Sequence, residues 1–352
     1  MWLARGRVDG GGLALGGLAP AGCRRGDVMN RLAILTSGGD SPGTNAAIEA
    51  ATRQASACGA ELLGVRGGFA GLADGQVHLL TLAEVDGIAA RGGTILGTSR
   101  DRTIADEEGR QRLLRTLERE RIAGLVLLGG DGSIRYGATA LAEMGVASIA
   151  IPCTIDNDVP GTDRTIGFDS ACNRAMGLVD GIRDTAQALA GRMFLLETLG
   201  GHTGFIALAV AEAAQADLVL LPEYPVDLDR TAERLRRRVE AQGYALAVAS
   251  EGAGDVHSMA TYLAEAAGHR IRLTSLGHAQ RGGSPSYFDR WLARRCAELA
   301  VSGLLSGQSA CMTASEGYNV QLVPLTDVCS GQKQPDRSVY ERINGLGIGG
   351  IS

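Results

Sequence analysis

Short apolar runs alternate with longer amphipathic stretches from Arg31 almost to the C-terminus. The first such run, Leu32 to Leu35, reads as a strand, and Thr44 to Cys58 as the helix after it. Leu62 to Val65 is the next strand, Arg66 to Asp74 a glycine-rich turn region, and Leu82 to Ala90 a short helix. Asp106 to Glu120 is a charged helix with Leu113, Leu114 and Leu117 on one face. It feeds a buried strand at Leu125 to Leu128. Gly137 to Met144 returns as a helix and Ala147 to Ile151 as a strand. A long helix, Ser170 to Ala188, opens a second series. In that series Arg192–Leu196, Leu218–Leu221, Ala245–Ala249 and Arg270–Leu276 read as strands. The helices between them are Phe205–Ala214, Arg230–Ala241 and Ser258–Ala267. Phe288 to Leu304 is the last clear helix, and periodicity weakens beyond it. Strands and helices in this rhythm predict an α/β fold with mostly parallel sheets covered on both faces.

The strands end in chemistry. Leu32–Leu35 runs into Thr36-Ser37-Gly38-Gly39-Asp40-Ser41-Pro42-Gly43, where a glycine loop and a helix start favour an anion. Ala123 to Gly130 ends in Gly129-Gly130-Asp131-Gly132-Ser133. Ile151 to Asp169 sets Asp156, Asp158, Asp163 and Asp169 in one segment rich in turn formers. Carboxylates so crowded repel unless a cation joins them. Phosphoryl transfer needs positioning, a metal and positive charge around the moving oxygens, and often a carboxylate that takes the hydroxyl proton. Asp131 and Asp158 suit Mg²⁺ held partly through water. Asp156 suits the base, and Thr154 a hydrogen bond to the transferring or incoming group. Asp163 and Asp169 read equally as Asx-turns or helix caps. The basic counterpart comes from Arg192, Arg272, His278 and Arg281, each at or near the end of an apolar run. Arg100, taken alone, reads as a surface charge. His78, His257 and His269 read as structural, and His202 has no assigned role. No HxxxH or HExxH spacing points to zinc.

The 352 residues suffice for two domains, and 45% apolar content supports ordinary cores. A net charge of −5 suggests neither a nucleic-acid nor a membrane partner. No apolar run is long enough to span a bilayer. The seven cysteines are widely spaced, as for reduced thiols in a cytoplasmic chain. Residues 1–28 lack patterning and read as a disordered tail or as sequence upstream of the true start.

Taken in order, the segments Gly38–Gly43, Gly92–Arg100, Gly129–Ser133, Pro152–Asp169, Glu197–Gly204, Pro222-Glu223 and Leu276–Arg290 resemble the bacterial-type 6-phosphofructokinase family. The resemblance covers about Arg31 to Arg290. It implies two Rossmann-like three-layer α/β/α domains with the active site in the cleft between them. Residues 29–168 plus about 281–335 would bind the nucleotide, and 169–280 plus C-terminal residues the sugar phosphate. It implies transfer of a phosphoryl group from ATP, with Mg²⁺, to the 1-hydroxyl of fructose 6-phosphate. Asp156 is then the base, Asp131 and Asp158 the metal carboxylates, and Gly38, Gly132 and Ser133 the nucleotide contacts. Arg100 bridges to the transferring phosphoryl. Thr154, Leu199, Gly200, Gly201, Glu223, Arg192, Arg272, His278 and Arg281 form the sugar-phosphate set. Arg192 and Arg272 are lent by a neighbouring subunit of a homo-oligomer, usually a tetramer. Pyrophosphate enzymes of the family carry Asp where this chain has Gly132, so Gly132 argues for ATP.

Two departures stand out. Family members typically read Met-Gly-Arg where this chain has Leu199-Gly200-Gly201, so an arginine is missing. That leaves a kinase of another ketose phosphate, or a noncatalytic regulatory subunit, as alternatives beside the pyrophosphate-dependent enzyme. Of the basic effector-site residues, Arg53 and Arg183 are kept, but Glu49 and the stretch Ala241–Tyr244 depart. Altered allosteric control is the expectation.

Overall fold

The computed structural model describes residues 31–346, so the expectation for residues 1–28 lies outside the described residues. β1 (Arg31–Ser37) is buried except at its two ends. It is followed by α1 (Thr44–Ala57), β2 (Glu61–Val65), α2 (Gly68–Ala73) and β3 (Val77–Leu79). α3 (Leu82–Val85) and α4 (Glu107–Arg119) lead to β4 (Gly124–Gly129), which is buried throughout. A π-helical stretch, Ser133–Ala138, runs straight into α5 (Thr139–Glu143). β5 (Ser148–Thr154) is also buried throughout, and β6 (Ile166–Gly167) pairs beside its end.

α6 (Phe168–Ala188) opens the second series. It continues through β7 (Arg192–Thr198), α7 (Phe205–Ala213), β8 (Leu218–Leu220), α8 (Leu228–Gln242), β9 (Tyr244–Ser250), α9 (Val256–Ala267) and β10 (Arg270–Ser275). The chain then returns to the first sheet. α10 (Tyr287–Leu305) packs on α1, and β11 (Cys311–Glu316) joins β5 and turns back into β12 (Asn319–Pro324). After α11 (Leu325–Ser330), residues 331–336 cross again, and α12 (Arg337–Asn344) packs on α7 and β8.

Among the described residues, the first sheet has the order β12-β11-β5-β4-β1-β2-β3, with β6 beside β5, and the second β10-β7-β9-β8. All pairs are parallel except β2–β3 and β11–β12. The chain leaves β1 for β2 on one side and comes back to β4 on the other. Strand order therefore reverses between β1 and β4, where open α/β sheets bind ligands at their carboxyl ends. Register sets Ser37 beside Gly129, and Gly129 beside Pro152, so the tips of β1 and β4 are level and β5 runs on beyond them to Thr154.

Period-two alternation explains the cores. In β1, Leu32 and Ile34 face α1 and α10, while Ala33 and Leu35 face Phe69 of α2 and Leu113 of α4. In β7, Phe194 and Leu196 face α6 and α7, while Met193 and Leu195 face α8 and α9. Among the described residues, no helix is long and apolar enough to cross a membrane.

Three expectations need correction. Arg66–Asp74 is not only a turn but contains α2; a Cβ on Gly71 would fall 1.6 Å from the Arg66 carbonyl oxygen, so this glycine allows a helix at close quarters. Leu82–Ala90 is broken after Val85, with Gly87 at φ 75° before a separate 3₁₀ turn, Ile88–Ala90. Leu114 is 39% exposed, whereas Leu113 and Leu117 are buried.

Candidate active site

A cavity of 410 Å³ opens where carboxyl ends of the two sheets meet. Arg100, Asp156 and Asp158 line it from the first sheet's side. Leu199, Gly201, His202, Glu251, His278 and Arg281 line it from the second.

Asp156 and Asp158 follow β5. Thr154 ends that strand, and its Oγ1 accepts from the Asp156 N–H at 3.2 Å. Asn157 between them is buried at φ 56°. Its Oδ1 accepts from the Thr165 N–H at 2.9 Å, and its Nδ2 donates to the Asp163 carbonyl at 3.2 Å. This short-range lock is why the loop holds both carboxylates in the cavity wall. Asp156 and Asp158 each keep one buried Oδ1 without a hydrogen-bond partner. Burial raises the Asp156 pKa, against the pull of Arg281 and the Thr154 hydroxyl. Asp158 is pushed up to about 6, first by burial and then by the Asp156 and Asp131 carboxylates. Buried acceptors of this kind are costly unless a ligand completes them. Asp163 and Asp169 are neither Asx-turn nor cap residues: Asp163 accepts from the distant Gly317 N–H at 2.9 Å, and Asp169, inside the first turn of α6, accepts from Asn173 Nδ2 at 2.8 Å.

Asp131 does not line the cavity. Arg135 Nε donates to both its oxygens, at 2.7 and 2.9 Å. The same guanidinium donates to the Cys329 and Gly331 carbonyls at 2.7 Å each. The i,i+4 spacing was the only sequence signal for this pair. Among the described residues, no group of three or more His, Cys, Asp or Glu could hold a metal ion. The orphaned Asp158 oxygen nevertheless fits a hard divalent cation that takes most of its shell from water and phosphate oxygens, with the Asp131 carboxylate near enough to raise the Asp158 pKa.

The tips of β1 and β4 are knitted together. Gly38 has φ 93°, and a Cβ there would meet Ser133 Oγ at 3.3 Å. Ser133 Oγ donates to the Ser37 carbonyl at 3.0 Å, and Thr98 Oγ1 to the Gly38 carbonyl at 3.0 Å. Gly132 faces open space: a Cβ there would meet nothing within 4 Å. Over Gly39 two cations converge, since a Cβ would meet Arg281 Nη1 at 2.5 Å and Arg100 Nη2 at 3.2 Å. Arg100 is thus a cavity residue and not a stray surface charge. The first turn of α1 is buried, with Asn45 clamped to the Arg91, Gly92 and Ile95 backbone.

On the opposite wall, Leu199 donates its N–H to Gln280 Oε1 at 2.8 Å, and the buried Gln280 also donates to the Ala171 carbonyl at 3.1 Å. This fixes the loop that presents His278 and Arg281. The N–H groups of Gly200 and Gly201 both donate to Glu251 Oε1, at 3.2 and 2.8 Å. Gly201 has φ 61°, and a Cβ there would lie 3.6 Å from Asp156 Oδ2.

Glu223, Arg192 and Arg272 also stand outside the cavity lining. Glu223 does not line the cavity; its Oε1 accepts from the Gly204 N–H at 2.9 Å. Glu251 lines the cavity instead and was missed, although β9 runs into Ser250-Glu251-Gly252 like the other chemical strand ends. Arg192 begins β7, and Arg272 sits opposite Phe194 in β10, toward the other end of the sheet from Leu199. Neither lines the cavity of this chain. His202, to which the sequence assigned no role, does line it.

The family model described as Phosphofructokinase matches residues 31–304. The chain belongs to the phosphofructokinase family. ATP-dependent 6-phosphofructokinase of Thermotoga neapolitana is 40% identical over 314 residues, covering 89% of this chain and 98% of that one. ATP-dependent 6-phosphofructokinase 1 of Thermus thermophilus is 42% identical over 314 residues, covering 88% and 97%. The solved T-state phosphofructokinase of Pichia pastoris aligns with a TM-score of 0.82 at 30% identity. It covers 86% of this chain and 36% of that longer one. In this phosphofructokinase chain the matched region takes in every residue that lines the cavity.

Proposed function

We propose that the chain transfers the γ-phosphoryl group of ATP to the 1-hydroxyl of fructose 6-phosphate, giving fructose 1,6-bisphosphate. The observation that carries this is the pair of buried, unpartnered carboxylate oxygens on Asp156 and Asp158, in one cavity with Arg100, His278 and Arg281. The names of the Thermotoga and Thermus relatives support the donor and the acceptor.

In this reading the half built on the first sheet, residues 29–168 plus about 281–335, holds the nucleotide. The half built on residues 169–280 plus α12 holds the sugar phosphate. Gly38, Gly132 and Ser133 receive the nucleotide phosphates through backbone groups and open space. Asp131 and Asp158 would hold Mg²⁺, which when bound supplies charge neutralisation for phosphate oxygens. His278 and Arg281 grip the sugar phosphate, with Leu199, Gly200, Gly201 and Thr154 shaping the space around the sugar. Asp156 accepts the proton of the attacking hydroxyl. Burial raises the Asp156 pKa and Arg281 opposes that effect, favouring the ionised form that a base needs. Arg100 offsets charge on the transferring group.

Arg192 and Arg272 then complete the site of a neighbouring copy, in a homo-oligomer that is a tetramer. Sedimentation of an active sample as a monomer would exclude this. A second reading, a noncatalytic sugar-phosphate sensor, is favoured only by the bare Gly201 beside Asp156.

Initial rates with fructose 6-phosphate and either ATP or pyrophosphate test the proposal. ATP is expected to give the higher kcat/KM. Faster turnover with pyrophosphate would refute the argument from Gly132. No transfer from either donor to any ketose phosphate would favour the sensor.

A further inference from the structure

The carboxylate of Asp289 lies outside the cavity lining, and no step above uses it, yet it is wholly buried. We propose that Asp289 is a positioning residue that fixes the carboxylate loop against the cationic loop. This rests on the reading of the cavity as a sugar-phosphate kinase site.

Asp289 sits in the first turn of α10. Its Oδ1 accepts from the Gly167 N–H at 2.9 Å. Its Oδ2 accepts from the Ser170 N–H at 2.8 Å and from the Ser170 hydroxyl at 2.5 Å. The Ser170 hydroxyl in turn accepts from the Ser286 N–H at 2.8 Å, and Ser286 Oγ caps α10 by accepting from the Asp289 N–H at 3.2 Å. The starts of α6 and α10 thus hold each other through one buried knot.

Each strand of the knot leads to the cavity. Gly167 closes the loop that carries Asp156 and Asp158. It has φ 109°, and a Cβ there would come within 1.7 Å of Ser41 Oγ, so only glycine fits at this point. Ser286 closes the loop that carries His278 and Arg281. The distance from base to phosphate-gripping cations therefore depends on Asp289, beside the Gln280 bonds that hold the cationic loop from its other side. The nucleotide side keeps its own anchor, because Ser41 Oγ donates to the Ile166 carbonyl at 2.7 Å without involving Asp289.

The chemistry asks for an anion. Two oxygens serve three donors, at two helix N-termini where negative charge is favoured. A carboxamide would turn an N–H donor toward one of those donors and lose a bond. Burying a carboxylate is costly, and an apolar filling is often no less stable. Its presence is explained by geometry more than by stability.

Asp289→Asn and Ser170→Ala in the full chain test this, with kcat, both KM values, thermal melting, and calorimetric binding of fructose 6-phosphate without ATP. Misplacing reacting groups by about an ångström costs up to about a hundredfold in rate. For Asp289→Asn, kcat is expected to fall about tenfold or more and the fructose 6-phosphate KM to rise several-fold, with the ATP KM within about twofold. Ser170→Ala, the milder change, should move the same constants in the same direction and serves if Asp289→Asn does not fold. A lower melting point with both KM values unchanged would reduce Asp289 to a structural residue and overturn the proposal. So would folded variants with wild-type constants. If wild type shows no turnover, the kinase reading fails, and the calorimetric arm still judges the knot.

Discussion

A Cβ on Gly132 would meet no atom within 4 Å, while Gly129 and Gly130 on the same turn are crowded by Ser133 and Thr154. The open side of this turn is where a phosphate chain can lie against backbone. Gly132→Asp would put a carboxylate into that space. The ATP KM is expected to rise by about tenfold or more, the equivalent of roughly 1.4 kcal/mol, with the fructose 6-phosphate KM little changed in steady-state kinetics. An unchanged ATP KM would remove Gly132 from the site. At this scale much of the site was legible. Asp156, Asp158, His278 and Arg281 follow apolar runs directly, and strand ends carry chemistry in open α/β sheets. The exchange of Glu223 for Glu251 was not legible, because both follow a strand. Only the strand order decides: β9 lies beside β7, whereas β8 is the edge strand.

The loop between β5 and α6 concentrates acid that the fold does not neutralise. Asp156 and Asp158 in this loop, and Asp289 of α10 packed against its end, have pKa values raised by burial, the last two to about 6 from a usual 3.8. Between those values the folded chain binds more protons than the unfolded one. These groups therefore lower stability as pH rises through that window, and the loss is complete above it. The lowered groups Asp101, Asp255 and Asp336 lose their contribution only below the usual carboxylate range, outside this window. Ligand-free protein is expected to melt at a higher temperature at pH 5 than at pH 7.5. Asp158→Asn should flatten the slope and melt higher than wild type at pH 7.5. An identical slope in the variant would mean that Asp158 is not the strained group. Elements were legible where an apolar run was unbroken, as in β4 and β5. The hairpin β11–β12 was not, because its outer strand alternates only weakly between partly buried and exposed residues. α2 was hidden because glycines that break helices elsewhere are needed here for close approach.

The whole molecule is two sheets whose carboxyl ends share one cavity, tied by segments that pass between them. The last of these, residues 331–336, is gripped from both sides. Arg135 holds the Gly331 carbonyl, while Lys333 donates to the Asp163 carbonyl at 3.0 Å and lies 5.3 Å from the centre of the Phe205 ring. Burial, then Arg164, push Lys333 down to about 8. The alternating rhythm foretold the α/β class, but the return of α10 to the first sheet and of α12 to the second left no mark in composition. The central claim is that this shared cavity performs phosphoryl transfer with Asp156 as base. Turnover of Asp156→Ser with ATP and fructose 6-phosphate, measured beside calorimetric binding of the sugar phosphate, tests it most directly. General-base catalysis contributes about 10²- to 10⁴-fold, so kcat should fall by that much while binding is retained. A variant that turns over within about threefold of wild type would contradict the account.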